Sequence, residues 1–225
     1  FISYLCQISN RNMKTRKIRT ALYNVLPGEK AHALMAPRPK YIEGIEGVHP
    51  CPPVNSAILA LIVPFENELA LPLIKRVNRG KYHGGQIAFP GGKMEKEDAD
   101  ALQTALRECH EEIGVPEEKV SILGVLSDIY IPLSNFNITP IVGTTLQLPD
   151  FILSQDEVEK VILVKLRDLF DDRNKTTHSF VRHDHKIIAP GYKIGENFIW
   201  GATAMIIAEL EQLMKTNTFN HLGKL

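Results

Sequence analysis

Three glutamates recur at helical spacing near the middle of the chain. Glu108, Glu111 and Glu112 are three and four residues apart, so a helix would place their carboxylates on one arc of about 100°. Carboxylates this close repel each other, and Arg107 is the basic side chain beside them, able to pair with Glu111. A divalent cation would neutralise the cluster, and oxygen ligands favour Mg²⁺ or Mn²⁺ over Zn²⁺. A solvated, charged surface helix is the alternative interpretation.

A glycine-rich loop precedes these glutamates. Pro90, Gly91 and Gly92 would let the backbone approach a ligand closely and would expose carbonyl oxygens as further metal ligands. A glycine pair just before a carboxylate-bearing helix favours the metal interpretation. Because Mg²⁺ often shares its coordination shell with substrate phosphates, the expected chemistry is phosphoryl transfer.

The helix that must carry the glutamates is predicted over Asp100–Ile113. Asp98 or Asp100 can cap its start, Gly114 supplies the left-handed residue after its end, and Pro116 blocks continuation. Five apolar positions share one face of this helix: Leu102, Ala105, Leu106, Cys109 and Ile113. The glutamates therefore border a core-facing surface.

The remaining elements mix strands and helices without strict alternation. A hairpin is predicted from the strands Ala57–Phe65 and Leu69–Arg76, and a second long helix from Phe198–Met214. Further strands are predicted at Val120–Ile131, Ile138–Leu146 and Val158–Leu166. This order favours an α+β fold with a mixed sheet over a doubly wound parallel fold.

The first 51 residues differ in composition from the rest. Residues 11–26 are basic and predict a short amphipathic helix, and residues 27–54 contain many prolines and predict an irregular lead-in. We therefore expect an N-terminal extension over 1–51, a catalytic domain over 52–216 and a C-terminal tail over 217–225.

Composition narrows the classes of partner. The 26 basic and 26 acidic side chains balance, which argues against nucleic-acid binding, and no apolar run is long enough for a transmembrane helix. Three scattered cysteines indicate a reducing compartment. We expect a cytoplasmic protein, with a peroxisomal or mitochondrial location left open, that acts as a monomer or homodimer without membrane association. The balanced charge still allows a small anionic ligand, since a local cluster of basic residues would bind it.

The central segment resembles the Nudix box, G-x5-E-x7-R-E-U-x-E-E-x-G-U, where U is aliphatic. The matching residues are Gly92, Asp98, Arg107, Glu108, Glu111, Glu112, Gly114 and Val115. Asp98 stands where glutamate is usual, one extra residue precedes Arg107, and Cys109 occupies the first U position.

An upstream signature is similar to that of Nudix coenzyme A pyrophosphatases. Arg76, His83, Gly85, Gln86 and the run Phe89, Pro90, Gly91 and Gly92 match it. Val77, Gly80 and Lys81 depart from it, since Ser, Leu and Arg are usual there. The segment from Trp200 to Ala204 also resembles the start of the last helix in that branch, so the resemblance spans roughly residues 52–214.

This resemblance implies an α/β/α sandwich around a mixed sheet, and a metal-dependent hydrolase of nucleoside-diphosphate-linked substrates. Glu108, Glu111 and Glu112 would bind Mg²⁺ or Mn²⁺ with a carbonyl of Gly91 or, preferentially, Gly92, and Arg107 would orient the glutamates. Coenzyme A would yield 3′,5′-ADP and 4′-phosphopantetheine, and acyl derivatives would yield acyl-phosphopantetheine.

Several outlying residues have two interpretations. Arg76 and Lys81 would either bind the substrate phosphates or lie at a solvated strand end. His83 would either act as a catalytic base or form a hydrogen bond within its own loop. Gln86 is assigned to substrate binding. Glu157 is the candidate for an additional acidic metal ligand or base, and Trp200 for packing or, alternatively, base stacking.

Three alternative functions remain at this point. The chain would be a Nudix pyrophosphatase for ADP-ribose, a dinucleotide or a damaged nucleotide, or a non-catalytic Nudix binding module. Isoprenoid-diphosphate isomerase chemistry on the same fold would need a nucleophilic cysteine, whereas Cys109 is predicted to face the core.

Overall fold

The computed structural model of the chain describes residues 15–38, 51–78, 85–182 and 185–218. Within these residues, eight strands form one mixed sheet and three form a second, antiparallel sheet. Helices cover both faces of the larger sheet, which makes the architecture an α/β/α sandwich and confirms the predicted α+β fold class. No helix in the described part of the chain is long and apolar enough to cross a bilayer.

The helices in chain order are α1 (15–22), α2 (Glu29–Met35), α3 (Ala101–Ile113), α4 (Leu166–Leu169) and α5 (Ala202–Thr218). The large sheet contains β1 (Val54–Phe65), β2 (Glu68–Arg76), β3 (Ile87–Ala88), β4 (Gly91–Lys93), β5 (Ser121–Val125), β6 (Ile129–Ile131), β7 (Phe136–Thr144) and β8 (Val158–Lys165). The second sheet contains β9 (Lys175–Arg182), β10 (His185–Ile194) and β11 (Asn197–Trp200).

Strand β1 is the centre of the large sheet. It pairs in parallel with β7 and antiparallel with both β2 and β4, so it is hydrogen-bonded along its length. Its nearly continuous apolar sequence is explained by burial on both faces. Leu59 and Leu61 pack in the core under α3, whereas Ala60 and Ile62 pack in the core under α1, α2 and α5.

Helix α3 has the boundaries that its sequence predicts. The Asp100 side chain accepts a hydrogen bond from the Gln103 amide at 2.9 Å, which makes Asp100 rather than Asp98 the N-cap. Gly114 has φ of 71° and donates its N–H to the His110 carbonyl, which ends the helix in a left-handed residue. The apolar face predicted for α3 packs against β1.

Two predicted elements are divided in the structure. The expected strand Val120–Ile131 is two strands, β5 and β6, because Ser127 turns out of the sheet to bond Glu209 through its amide and hydroxyl groups. The expected helix Phe198–Met214 begins as strand β11. Gly201, with φ of 67°, makes the turn that separates this strand from α5.

The predictions miss two further regions. Residues 27–54 were expected to be irregular, but Glu29–Met35 forms helix α2, which begins after Gly28 at φ of 56° and packs on α5. Strands β9 and β10 lack a clear alternation of apolar and polar residues, because polar and charged residues occupy much of both strands. Their antiparallel pairing depends on each other and on β11, which local sequence does not reveal.

A buried carboxylate joins the N-terminal segment to the last helix. Glu209 on α5 is fully buried and accepts hydrogen bonds from the Gly28 amide at 3.0 Å and the Ser127 hydroxyl at 2.6 Å. The His32 ring nitrogen lies 2.8 Å from its second oxygen. Burial alone would raise the pKa of Glu209, but the hydrogen bonds from His32 and Ser127 outweigh it and lower the pKa below 4.5.

We expect Glu209→Gln to lower the free energy of unfolding by about 2–4 kcal/mol, because the charged acceptor for Gly28, His32 and Ser127 is lost from a buried site. Urea denaturation at neutral pH measures the effect, with the exposed α5 substitution Gln212→Ala as a control that should change stability by less than about 0.5 kcal/mol. Because the pKa of Glu209 is lowered, the difference from the parent should shrink as the pH falls below 4.5. An undiminished difference in acid would contradict an ionised Glu209.

Candidate active site

Arg107 binds three acidic side chains at the outer edge of α3. Its Nε and Nη2 atoms contact the two oxygens of Asp98, each at 2.9 Å. Its Nη1 atom donates to Glu108 at 3.0 Å and to Glu111 at 3.1 Å. One guanidinium therefore fixes the positions of two box glutamates while it stays anchored to a third carboxylate.

Asp98 anchors this arginine from the loop that precedes α3. Its carboxylate accepts further hydrogen bonds from the Thr104 hydroxyl and the Glu95 amide, both at 2.9 Å. These hydrogen bonds, with that of Arg107 the strongest, hold the pKa of Asp98 well below its usual range. The aspartate that departs from the Nudix pattern is thus in direct contact with the arginine of the box.

Glu112 lies on the inner side of the same helix and is fully buried. One of its oxygens, Oε2, accepts a hydrogen bond from the Gly91 amide at 2.8 Å. The other, Oε1, is 3.1 Å from Nη1 of Arg76 but accepts no hydrogen bond of acceptable geometry from the described residues. Burial raises the pKa of Glu112 to about 7, against the opposing effects of Arg76 and the Gly91 amide.

The two glycines of the loop are required for different reasons. Gly91 has φ of 153° and lies against β1, where a Cβ atom would come within 2.6 Å of the Ile58 Cα atom. Gly92 lies against the Glu108 carboxylate, and its own Cβ would be 2.6 Å from Glu108 Oε2. Gly91 allows the backbone to pass close to β1, and Gly92 leaves space for the carboxylate of Glu108.

Glu157 lies just before β8, and it extends the acidic cluster beyond α3. Its charge is close enough to raise the pKa values of both Glu108 and Glu112, although burial is the larger cause for each. Its backbone carbonyl accepts the Val77 amide at 2.9 Å, which holds this segment beside the end of β2. Glu159, two residues further along the chain, pairs with Lys75 at 2.7 Å.

The donor set suits a hard divalent cation. Glu108, Glu111, Glu112 and the Gly92 carbonyl offer only oxygen atoms, and Glu112 Oε1 is a buried acceptor without a hydrogen bond. In the described residues no three His, Cys, Asp or Glu side chains already converge on one point. Arg107 and Arg76 contact the carboxylates and supply the compensating positive charge.

Arg76 is located at the glycine loop. Its Nη2 donates to the Gly91 carbonyl at 2.8 Å, and its backbone bonds Gly85 and Gln86, each at 3.0 Å. Arg76 is therefore not at a freely solvated strand end. Lys81 and His83 lie outside the described residues.

Cys109 faces the core, as its position on α3 predicts. It is fully buried, and burial raises the pKa of its thiol to about 12. Because the thiolate is the nucleophilic form, Cys109 is unsuited to isomerase-type catalysis.

Other features near the site have no clear sequence signal. The Thr203 hydroxyl at the start of α5 donates to the Ile87 carbonyl at 3.2 Å, which fixes β3 immediately before the glycine loop. A cavity of about 320 Å³ also opens beside the loop, lined by Val54, Asn55, Lys93, Met94, Glu95 and Lys96. The cavity is lined by two short runs, 54–55 and 93–96, which only the pairing of β1 with β4 brings together.

The fold and this arrangement correspond to a known family. The model of the NUDIX domain matches residues 55–183, more than half of the chain, and the chain therefore belongs to the Nudix hydrolase family. Two relatives described as uncharacterized Nudix hydrolase NudL come from Enterobacter sp. (strain 638) and Pectobacterium atrosepticum. They are 34% and 35% identical over 161 and 158 residues, which cover 70% and 69% of this chain and 82% and 80% of theirs.

A solved structure shares the fold. The MutT protein from Methanosarcina mazei Go1 superposes with a TM-score of 0.50 at 16% identity, over 75% of this chain and 98% of its own. This likeness concerns the fold alone.

The two glycines should respond differently to alanine. We expect Gly91→Ala to lower the free energy of unfolding by more than about 2 kcal/mol, because its Cβ would strike the β1 backbone. Gly92→Ala should keep the protein folded but displace the Glu108 carboxylate, which reduces nucleotide hydrolysis by about 10-fold or more. Thermal unfolding and kcat measurements separate the two effects. Equal loss of stability in both variants would contradict this division of roles.

Proposed function

We propose that the protein hydrolyses the pyrophosphate of coenzyme A or its derivatives, releasing 3′,5′-ADP and 4′-phosphopantetheine or acyl-phosphopantetheine. The observation that carries this proposal is the contact of Arg76 with Glu112 and the Gly91 carbonyl. Arg76 belongs to the signature shared with coenzyme A pyrophosphatases, and its partners belong to the Nudix box. The upstream signature and the box therefore act in one site.

The glutamates would serve as ligands for Mg²⁺ or Mn²⁺, with the Gly92 carbonyl as a further donor. The bound cation would supply Lewis-acid stabilisation of the charge that develops on the pyrophosphate oxygens. Arg107 would hold Glu108 and Glu111 in place without contacting substrate. Glu157 would act as an additional ligand or as the base that takes a proton from the attacking water.

Arg76 would link this centre to the substrate. It lies against Glu112 and remains partly exposed, with 30% of its side-chain surface accessible, so a guanidinium edge is available to a phosphate. Lys81 and His83 follow Arg76 in the chain. We propose that Lys81 contacts the 3′-phosphate of coenzyme A, with His83 and Gln86 as further substrate contacts.

A Nudix pyrophosphatase for ADP-ribose, a dinucleotide or a damaged nucleotide is the second candidate. The same carboxylates and glycine loop would serve all of these substrates, so the preference for coenzyme A rests on the Arg76–Gln86 segment and on the resemblance of Trp200–Ala204 to that branch. A non-catalytic binding module is less well supported, because a module that only binds would not require several carboxylates around a cation site.

We further propose that the protein works in the cytoplasm as a monomer or homodimer. The two cysteines in the described part of the chain, Cys51 and Cys109, are free. A reducing compartment is consistent with free thiols. The net charge of zero gives no overall electrostatic attraction to nucleic acid or to anionic membranes.

Substrate choice is tested by comparing kcat/KM for coenzyme A, 3′-dephospho-coenzyme A and ADP-ribose. We expect coenzyme A to be preferred over the dephospho form by about 10- to 150-fold, since a charge-assisted contact to the 3′-phosphate is worth about 1.5–3 kcal/mol. Lys81→Ala should narrow this preference, whereas the exposed control Lys30→Ala should leave it unchanged. Arg76→Ala should instead slow every substrate, because it leaves Glu112 without its positive partner.

The possible results separate the hypotheses. Preference for ADP-ribose would contradict the coenzyme A proposal but not the Nudix assignment. A retained preference for coenzyme A in Lys81→Ala would contradict the role given to that lysine.

A further inference from the structure

One face of the second sheet carries four aromatic rings. The strand register places His178 opposite Ala189, Phe180 opposite Ile187, and Phe198 and Trp200 opposite Lys193 and Gly191, so these side chains share a face. The His178 and Phe198 rings stack at 3.8 Å with an interplanar angle of 13°. Phe180 and Trp200 meet edge to face at 4.9 Å. We call the surface formed by His178, Phe180, Phe198 and Trp200 the aromatic face.

The rings of the aromatic face keep accessible surface, whereas the opposite face is buried at Tyr192 and Ile199 and exposed at Val181 and Ile188. On the opposite face, Tyr192 and Ile199 are fully buried and belong to the core that includes α5. On the aromatic face, His178 is exposed, and Phe180, Phe198 and Trp200 are partly exposed. These rings therefore present surface to a ligand beyond what the core requires.

Gly191 allows the rings to lie close to the sheet. A Cβ atom at this position would come 2.9 Å from the Phe198 ring, so Phe198 lies across the backbone of β10. The ring is held between this glycine and His178. The resulting surface is fixed by packing before any ligand binds, which lowers the entropy lost on binding.

The aromatic face is connected to the candidate active site through strand β3. Strand β11, which ends at Trp200, packs against β3. Thr203, three residues after Trp200, donates a hydrogen bond to Ile87 in β3. Strand β3 leads through Phe89 and Pro90 to Gly91, where Glu112 and Arg76 meet.

The chemistry of the surface fits a nucleotide base. Every base has a flat π-face that stacks on aromatic side chains, a contact worth about 1–3 kcal/mol per base. Lys193 is exposed on the same face, directly opposite Phe198, and offers a positive charge to a phosphate. Rings beside one cation match a base carrying a phosphate better than an uncharged apolar ligand.

We propose that the aromatic face binds the adenine base of the substrate, with Trp200 as the main stacking residue and Lys193 as a contact for a nucleotide phosphate. This inference rests on the proposed hydrolysis of a nucleoside-diphosphate-linked substrate. It applies to coenzyme A and to ADP-ribose alike, because both contain adenine. It therefore assigns base binding to the second sheet and leaves the choice between these substrates to the residues that follow Arg76.

The first test uses the fluorescence of Trp200, the single tryptophan of the chain. Titration of the full chain with 3′,5′-ADP in the presence of EDTA should quench this fluorescence without any turnover. Pyrophosphate and 4′-phosphopantetheine, which lack adenine, should not quench it. Calorimetric binding of 3′,5′-ADP with no change in Trp200 fluorescence would overturn the proposal.

The second test measures the Kd of 3′,5′-ADP by calorimetry in variants whose folding is checked by circular dichroism. Trp200→Leu should weaken binding by about 5- to 150-fold, whereas Trp200→Phe should keep most of the affinity. Tyr23→Leu, which removes an exposed ring on the N-terminal segment, should not change the Kd. If Trp200→Leu does not fold, Phe180→Leu decides the question, with weaker binding expected.

The outcomes distinguish this inference from the proposed function. Unchanged 3′,5′-ADP binding in the folded Trp200 or Phe180 variants would overturn the stacking role, although hydrolysis by the parent would stand. Absence of hydrolysis of any nucleoside-diphosphate-linked substrate would defeat the proposed function, even if the fluorescence response in EDTA were intact.

Discussion

Charge repulsion among the carboxylates at the edge of α3 is the constraint that the site depends on. Glu108, Glu111 and Glu112 lie on one helix, and Glu157 adds a fourth negative charge from the start of β8. Burial of Glu112 makes its charge still more costly. Two arginines from different elements offset this negative charge: Arg107 on α3 and Arg76 at the end of β2.

Arg107 contacts the outer glutamates of α3, whereas Arg76 contacts the buried Glu112. Arg107 is tied to Asp98 and controls the outer glutamates, so its position is set within the loop and helix of the box itself. Arg76 reaches the inner glutamate from the neighbouring strand, and the glycine loop lies between the two. The backbone conformation of Gly91 allows this loop to lie against β1, with which β4 forms an antiparallel pair.

Local sequence predicted the parts of the site that local interactions determine. The limits of α3 were predictable because Asp100 and Gly114 cap the helix through residues three to four positions away. The clustering of the box glutamates follows from helical spacing, and the burial of Cys109 from the apolar face. These features lie within one stretch of 15 residues, 100–114.

Contacts between distant segments could not be predicted in the same way. Arg76 meets Glu112 only because β2 and α3 both pack on β1, and Glu209 meets His32 across 177 residues of sequence. Helix α2 and strands β9 and β10 are stabilised by their partners rather than by a strong period of their own. The aromatic face combines β9 with β11, so its rings come together only when the second sheet forms.

Mn²⁺ binding, measured by isothermal titration calorimetry in the parent and in Glu112→Gln, tests the central claim most directly. Loss of one ligand charge should weaken Mn²⁺ binding and, at saturating metal, slow hydrolysis by about 100-fold or more. The exposed control Glu118→Gln should match the parent in both measurements. Parent-like Mn²⁺ affinity and turnover in Glu112→Gln, or full hydrolysis by the parent in excess chelator, would contradict a metal centre at these carboxylates.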